Sequence, residues 1–141
     1  MQDMTPDEYE SFLLDRPRTA KLATVREDGR PHVAPVWFDL DGDGFIFTTW
    51  HETVKAANLQ RDGRVSFCVD NEAPPFAFVI VEGTAEVADG TDDLLYWATR
   101  IAGHYMGANR AEEYGRRNGV PGELLVRVIT AKVVAKKNVS D

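Results

Sequence analysis

Apolar and polar residues alternate with a period of two through most of the chain, interrupted by four short stretches with a helical period. The first helical stretch opens at Thr5-Pro6-Asp7-Glu8, a capping threonine followed by proline at the first helical position and glutamate three residues after the cap. It runs to about Leu14 and ends before Pro17. Strands are then predicted over Thr19 to Arg26, Pro31 to Leu40 and Phe45 to Trp50, with turns at Asp28-Gly29 and Asp41-Gly42-Asp43-Gly44. Asp-Gly between apolar runs is a hairpin signal, so these three strands are expected to form an antiparallel meander. A helix over Thr53 to Gln60 leads through Asp62-Gly63 into a strand over Arg64 to Val69. Pro74-Pro75 supplies no ladder donors and marks a loop before the long strand Phe76 to Val87. In that strand Ala77, Val79, Val81, Gly83, Ala85 and Val87 share one face, while Glu82, Thr84 and Glu86 share the other with Phe76, Phe78 and Ile80.

After Asp89-Gly90 the period lengthens again. Leu94, Leu95, Trp97, Ala98, Ile101, Ala102 and Tyr105 fall on one stripe, with Thr91 as the expected cap. Gly107 interrupts that helix, a polar one follows over Asn109 to Arg117, Asn118 to Gly122 form a turn, and Glu123 to Val134 is the last strand. Six strands joined mostly by hairpins, with helices inserted between them, point to a closed antiparallel barrel rather than a doubly wound parallel sheet.

Composition narrows the functional classes. The 141 residues suit one domain, 1–141, and 43% hydrophobic with 28% charged residues is the balance of a globular chain. A formal charge of −7 argues against nonspecific nucleic-acid binding, which needs a basic footprint. No apolar run is long enough for a membrane span, and the first residues lack the regions of a signal peptide, so a cytoplasmic location is expected. Cys68 is the one cysteine and lies in the apolar run Val65 to Val69, where a buried, structural role is expected. His32, His51 and His104 lack metal-ligand spacing, so no metal site is expected. A Gly-rich phosphate loop, a nucleophile elbow and a dinucleotide fingerprint are all missing from the sequence. Chemistry would therefore come from a bound organic cofactor, with the protein supplying orientation and electrostatics.

The segment Phe45 to Leu59 is the best place for such a group. It carries an apolar strand into Thr48 and Thr49 and then into a helix bearing Lys55. The free amides and positive dipole end of the first helical turn attract an anion, and Lys55 adds a full charge. The same pattern also suits a capped surface helix with a solvated lysine, and the spacing alone does not separate the two.

Arg18 to Phe38 resembles the opening hairpin of the split β-barrel flavin and deazaflavin proteins related to pyridoxamine 5′-phosphate oxidase. Thr53 to Val65 is similar to that family's helix and following strand, and Phe78 to Glu86 to its next strand, so the resemblance runs from about residue 5 to residue 137. The short length and the Pro35-Val36-Trp37 segment look most like the actinobacterial branch that uses the deazaflavin coenzyme F420. The resemblance implies a mainly β, α+β fold, a six-stranded antiparallel split barrel with inserted helices. It implies a homodimer with a cofactor groove between subunits. Lys55 becomes the phosphate ligand, with hydroxyls of Thr48, Thr49 and Thr53 and the backbone near Val54 beside it. The tricyclic ring lies along Val33, Ala34, Pro35 and Val36. Trp37 and Trp50 wall the groove, and Phe76 matches a position that reaches the cofactor from the second subunit.

Relatives often place an arginine where Ala57 stands here, so one phosphate-facing charge is missing, with Arg61 or Arg64 as replacements. Lys21 and Arg30 are further cations for an acidic tail. The implied activity is an F420-dependent oxidoreductase that transfers a hydride to or from an unsaturated small molecule. No catalytic side chain is assigned, since solvent can deliver the proton, and His32 and His51 are acids by type only. The alternatives are an FMN-dependent oxidase or reductase of the same fold and a non-catalytic protein that holds a cofactor or heme.

Overall fold

In the computed structural model, residues 1–89 and 92–141 are described; the turn at Asp89-Gly90 and the Thr91 cap fall partly or wholly outside them. A two-residue strand β1 (Gln2–Asp3) precedes helix α1 (Pro6–Leu14). The capping box is present: the Thr5 hydroxyl accepts from the Glu8 amide at 3.2 Å, and the Glu8 carboxylate accepts from the Thr5 amide at 3.2 Å. Strands β2 (Ala20–Val25), β3 (Pro31–Val36), β4 (Asp39–Asp41) and β5 (Gly44–Trp50) follow, then helix α2 (Val54–Arg61), β6 (Arg64–Asn71) and β7 (Ala77–Ala88). Helix α3 (Leu94–Met106), a 3-10 turn (Ala108–Arg110), helix α4 (Ala111–Asn118) and the long strand β8 (Glu123–Lys137) complete the order.

The strands form one eight-stranded sheet, ordered β3-β2-β6-β7-β8-β5-β4 with β1 on β8, and all its ladders are antiparallel. This corrects the expected closed six-stranded barrel. No ladder joins β3 to β4, so the sheet is not closed into a barrel. Two strands were not anticipated: β1, and a second strand made when the expected run Pro31 to Leu40 breaks at Trp37-Phe38. The first half of that run pairs with β2 and the second with β5, at opposite ends of the strand order, so the three-stranded meander does not form either.

The break has a local cause. The Phe38 amide donates to the Tyr105 hydroxyl at 3.2 Å instead of to a neighbouring strand, and that hydroxyl donates in turn to the Arg18 carbonyl at 2.7 Å. Trp37 stacks on Tyr105 with ring centroids 5.0 Å apart and planes 3° from parallel. Burial pushes the Tyr105 hydroxyl up to about 12, so it keeps its proton and its donor role at neutral pH. Tyr105→Phe removes the acceptor of the Phe38 amide and the donor to Arg18 together. A loss of about 1–3 kcal/mol is expected in urea denaturation.

The main core lies on one face of the sheet and is aromatic at its centre. Phe45 meets Phe67 edge-on at 4.5 Å, and Phe38 lies 5.9 Å from Phe45, all three inside a shell that includes Leu22, Val69, Val79, Val81, Val126 and Val128. Val79, Val81 and Ala85 are buried while Glu82, Thr84 and Glu86 are exposed, as the alternation in β7 predicts. A register shift against β8 occurs at Glu82/Gly83. There a Cβ on Gly83 would stand 2.4 Å from the Ile129 carbonyl, so glycine permits the close approach.

A smaller cluster of Ile46, Leu94, Trp97 and Leu125 seats α3 against the other face of β5 and β8. Leu95, placed on the buried stripe by periodicity, is exposed instead. Cys68 is half-buried rather than core. Its neighbours Phe67 and Val69 take the inward positions, which turns Cys68 to the opposite face, and burial with the nearby Asp70 charge raises its thiol above the usual range.

Candidate functional site

Strand β5 delivers Thr48 and Thr49 to the start of α2. Thr53 caps that helix: its hydroxyl accepts from the Ala56 amide at 3.2 Å and donates to the Trp50 carbonyl at 2.9 Å. The Thr49 hydroxyl lies 3.0 Å from it, and because the Thr53 proton is engaged with Trp50, Thr49 is the donor of that pair. These two hydroxyls therefore spend their protons fixing the helix start. Among the described residues, the Val54 and Lys55 amides have no hydrogen-bond partner, as the first turn of a helix dictates. Lys55 is half-buried, and among the described residues its ammonium is in no ion pair or hydrogen bond, though its charge acts on Glu123 across the cleft.

This helix start opens onto a cleft of about 280 Å³. Pro35, Val36 and Trp37 line one side, and Thr48, Thr49, Trp50, Thr53 and Lys55 line the end. Six of the ten expected contact residues are thus brought together: Pro35, Val36, Thr48, Thr49, Thr53 and Lys55. Val33, Ala34, Val54 and Phe76 are not in the cleft wall of this chain. Val33 sits nearby on β3, 62% exposed, and β3 is an edge strand with one side unpaired. Val54 faces a second cavity with Arg26, Arg30 and Arg61. Phe76 is exposed with φ 60° in the loop between β6 and β7.

The remaining wall was not anticipated from sequence. Ala98 and Ile101 from α3, Asn118 from the end of α4, and Glu123 from the start of β8 all face the cleft. Glu123 stands opposite Trp50 in the β5–β8 register. Burial pushes its carboxyl above the usual carboxylate range, against the opposing pull of the Thr48 hydroxyl and of Lys55 and His51. His51 itself is tied at the rim, with Nδ1 3.1 Å from the Gly122 carbonyl and Nε2 3.7 Å from Glu52.

The other cations are committed elsewhere. Arg61 donates to the Val25 carbonyl and to Asn58, Arg64 pairs with Asp62, Lys21 with Asp70 at 3.1 Å and Arg30 with Asp28 at 2.8 Å. None of them lines the cleft, so Lys55 is its one lysine or arginine among the described residues. Among the described residues no group of three His, Cys, Asp or Glu side chains could hold a metal, and no helix is long and apolar enough to cross a membrane.

Residues 5–136 match the pyridoxamine 5′-phosphate oxidase family. The chain belongs to that family. A pyridoxine/pyridoxamine 5′-phosphate oxidase of Dichelobacter nodosus is 31% identical over 121 residues, covering 76% of this chain and 55% of the relative. The chain thus spans about half the length of the curated relatives it matches. Among solved structures, conserved hypothetical protein Rv2991 from Mycobacterium tuberculosis superposes with a TM-score of 0.83 at 24% identity, covering 96% of this chain and 86% of that one. A protein described as an F420 reductase gives 0.68 at 25% identity over 87% and 94%. HutZ, a heme storage protein from Vibrio cholerae, gives 0.74 at 17% identity over 96% and 98%, a likeness of fold. The fold is therefore shared with proteins named for oxidase, deazaflavin and heme roles, and family membership does not single out the F420 branch.

Proposed function

We propose that this chain is an oxidoreductase of the pyridoxamine 5′-phosphate oxidase family that holds FMN in the cleft, with the phosphate at the start of α2. One observation carries the reading: a half-buried lysine in the first turn of α2, with no hydrogen bond or ion pair among the described residues, shares a cleft with the end of an edge strand and two tryptophans. An anion is favoured at such a helix start. The identity to curated pyridoxine/pyridoxamine 5′-phosphate oxidases supports a flavin before a deazaflavin.

The flavin would supply hydride chemistry. Lys55 and the open amides at the start of α2 would hold the phosphate. Trp37, stacked on Tyr105, presents a fixed aromatic wall, while the free edge of β3 near Pro35 and Val36 would offer backbone polar groups to the ring's rim, Pro35 having a carbonyl but no amide donor. Positioning of this kind can supply much of a hydride-transfer rate without a dedicated side-chain acid. A cleft of about 280 Å³ is small for the whole cofactor, so a second copy of the chain is proposed to cover it, with Phe76 of that copy as a contact. Cytoplasmic placement is part of the same proposal.

The second reading is coenzyme F420. It is supported by the 25% identity to a protein described as an F420 reductase, which this chain covers over 94% of its length. Titration of the purified protein with FMN, coenzyme F420 and hemin, followed by ligand fluorescence or absorbance, separates the readings. Micromolar or tighter FMN binding, with re-oxidation of the reduced flavin by an added acceptor, is the expected result. Tighter F420 binding transfers the proposal to the deazaflavin, and binding of hemin alone, or binding without turnover, replaces it with a storage role.

A further inference from the structure

Glu123 is a carboxylate inside an anion seat. The charged or titratable side chains that line the cleft are Lys55 from α2 and Glu123 from β8. His51 acts on Glu123 from the β5–α2 loop and is itself next to Glu52. The other elements bring no charge to it: Ala98 and Ile101 from α3, Asn118 from α4, and Pro35, Val36 and Trp37 from β3 and its end. With Glu123 ionised the pair sums to zero, leaving only the partial positive charge of the α2 start, about half an elementary charge. A phosphomonoester brings about −1.5 to −2 at neutral pH. The Glu123 backbone is placed opposite Trp50 by the β5–β8 ladder, and its carboxylate takes a hydrogen bond from the Thr48 hydroxyl at the cleft wall. Among the described residues no arginine lines the cleft; Arg61, Arg64 and Arg30 are engaged elsewhere, and Ala57 has no charge.

We propose that Glu123 couples filling of this seat to proton uptake: a dianionic phosphomonoester is bound as the Glu123 carboxylate takes up a proton, whereas a monoanionic phosphodiester has less need of it. Glu123 is thus the residue that sets the seat's charge preference. The inference rests on the phosphate-seat reading above and adds its protonation chemistry. The sign follows from linkage: a ligand that raises a group's pKa binds more tightly as pH falls. Phosphomonoester affinity, referenced to the same ring without phosphate, therefore declines as pH rises above neutrality.

The test is calorimetric titration of wild type and Glu123→Gln with FMN and with riboflavin near pH 7.5, repeated in buffers of different ionisation enthalpy. Wild type is expected to take up at least about half a proton per FMN and close to none per riboflavin. Glu123→Gln is expected to bind FMN at least about fivefold more tightly, lose the uptake, and leave riboflavin affinity within about twofold. FMN binding to wild type without proton uptake overturns the proposal, a result that does not require the variant to fold. Uptake that persists in Glu123→Gln also overturns it and moves the proton to His51. If FMN does not bind, or Lys55→Ala leaves the FMN-to-riboflavin affinity ratio unchanged, the phosphate seat itself fails and takes this inference with it. If Lys55→Ala lowers the ratio while uptake is zero, the seat stands and only the role of Glu123 falls.

Discussion

Lys55→Ala is expected to weaken FMN binding by at least about tenfold, about 1.4 kcal/mol, while riboflavin binding changes little. Lys55 is half-buried, and among the described residues it makes no hydrogen bond or ion pair whose loss would disturb the fold. Hydrogen bonds to a charged partner are worth about 1.5–3 kcal/mol, so tenfold is the lower end of the range. Removing Lys55 also leaves Glu123 as the one ionisable side chain in the cleft wall, which adds repulsion to the loss of attraction. Some affinity should survive, because the Val54 and Lys55 amides and the α2 dipole do not depend on the side chain. Fluorescence titration of both ligands at two salt concentrations checks this. Equal weakening of FMN and riboflavin would point to lost cleft shape rather than lost charge.

Parts of this site that rest on neighbours in sequence were legible from the residues. The Thr53 cap, the two threonines before it and Lys55 in the first turn all fall within eight consecutive positions, and local chemistry dictates their arrangement. The capping box at Thr5 and Glu8 and the two faces of β7 are legible for the same reason. What was not legible depends on pairing across long stretches of chain. The break at Trp37-Phe38 follows from a hydroxyl 67 residues away, so period-two alternation through Pro31 to Leu40 gave no warning that the strand would part and the sheet stay open. Glu123 reads as an ordinary first strand residue until the β5–β8 register sets it opposite Trp50. Ala98, Ile101 and Asn118 reach the cleft only because α3 packs on Ile46 and Leu125. Helical periodicity identified that packing face but not what lay beyond it, and it placed Leu95 inside when the helix leaves it 49% exposed.

Phe38→Ala should have the largest effect on stability, a loss of about 3–5 kcal/mol in urea or thermal unfolding. Phe38 is 2% exposed and is among the largest fully buried side chains of the molecule. Its ring touches the Phe45 and Phe67 pair at centroid distances of 5.9 and 6.5 Å, so truncation opens a void at the aromatic centre of the core. Strands from both ends of the sheet meet there. Phe38 sits between β3 and β4, whose ladders lie at opposite ends of the strand order, and its side chain is the anchor that holds this linking segment against β5 and β6. Loosening it should also release Trp37, which is adjacent in sequence and lines the cleft. The variant is therefore expected to lose affinity for FMN and riboflavin alike, in contrast to the phosphate-selective loss in Lys55→Ala. A Phe38→Leu variant keeps most of the buried volume and should recover much of the stability. If ring affinity then returns with it, the segment that breaks the sheet is also what orients the cleft. Recovery of stability without ring affinity would instead assign Phe38 to the core alone and leave the placement of Trp37 to its stacking on Tyr105.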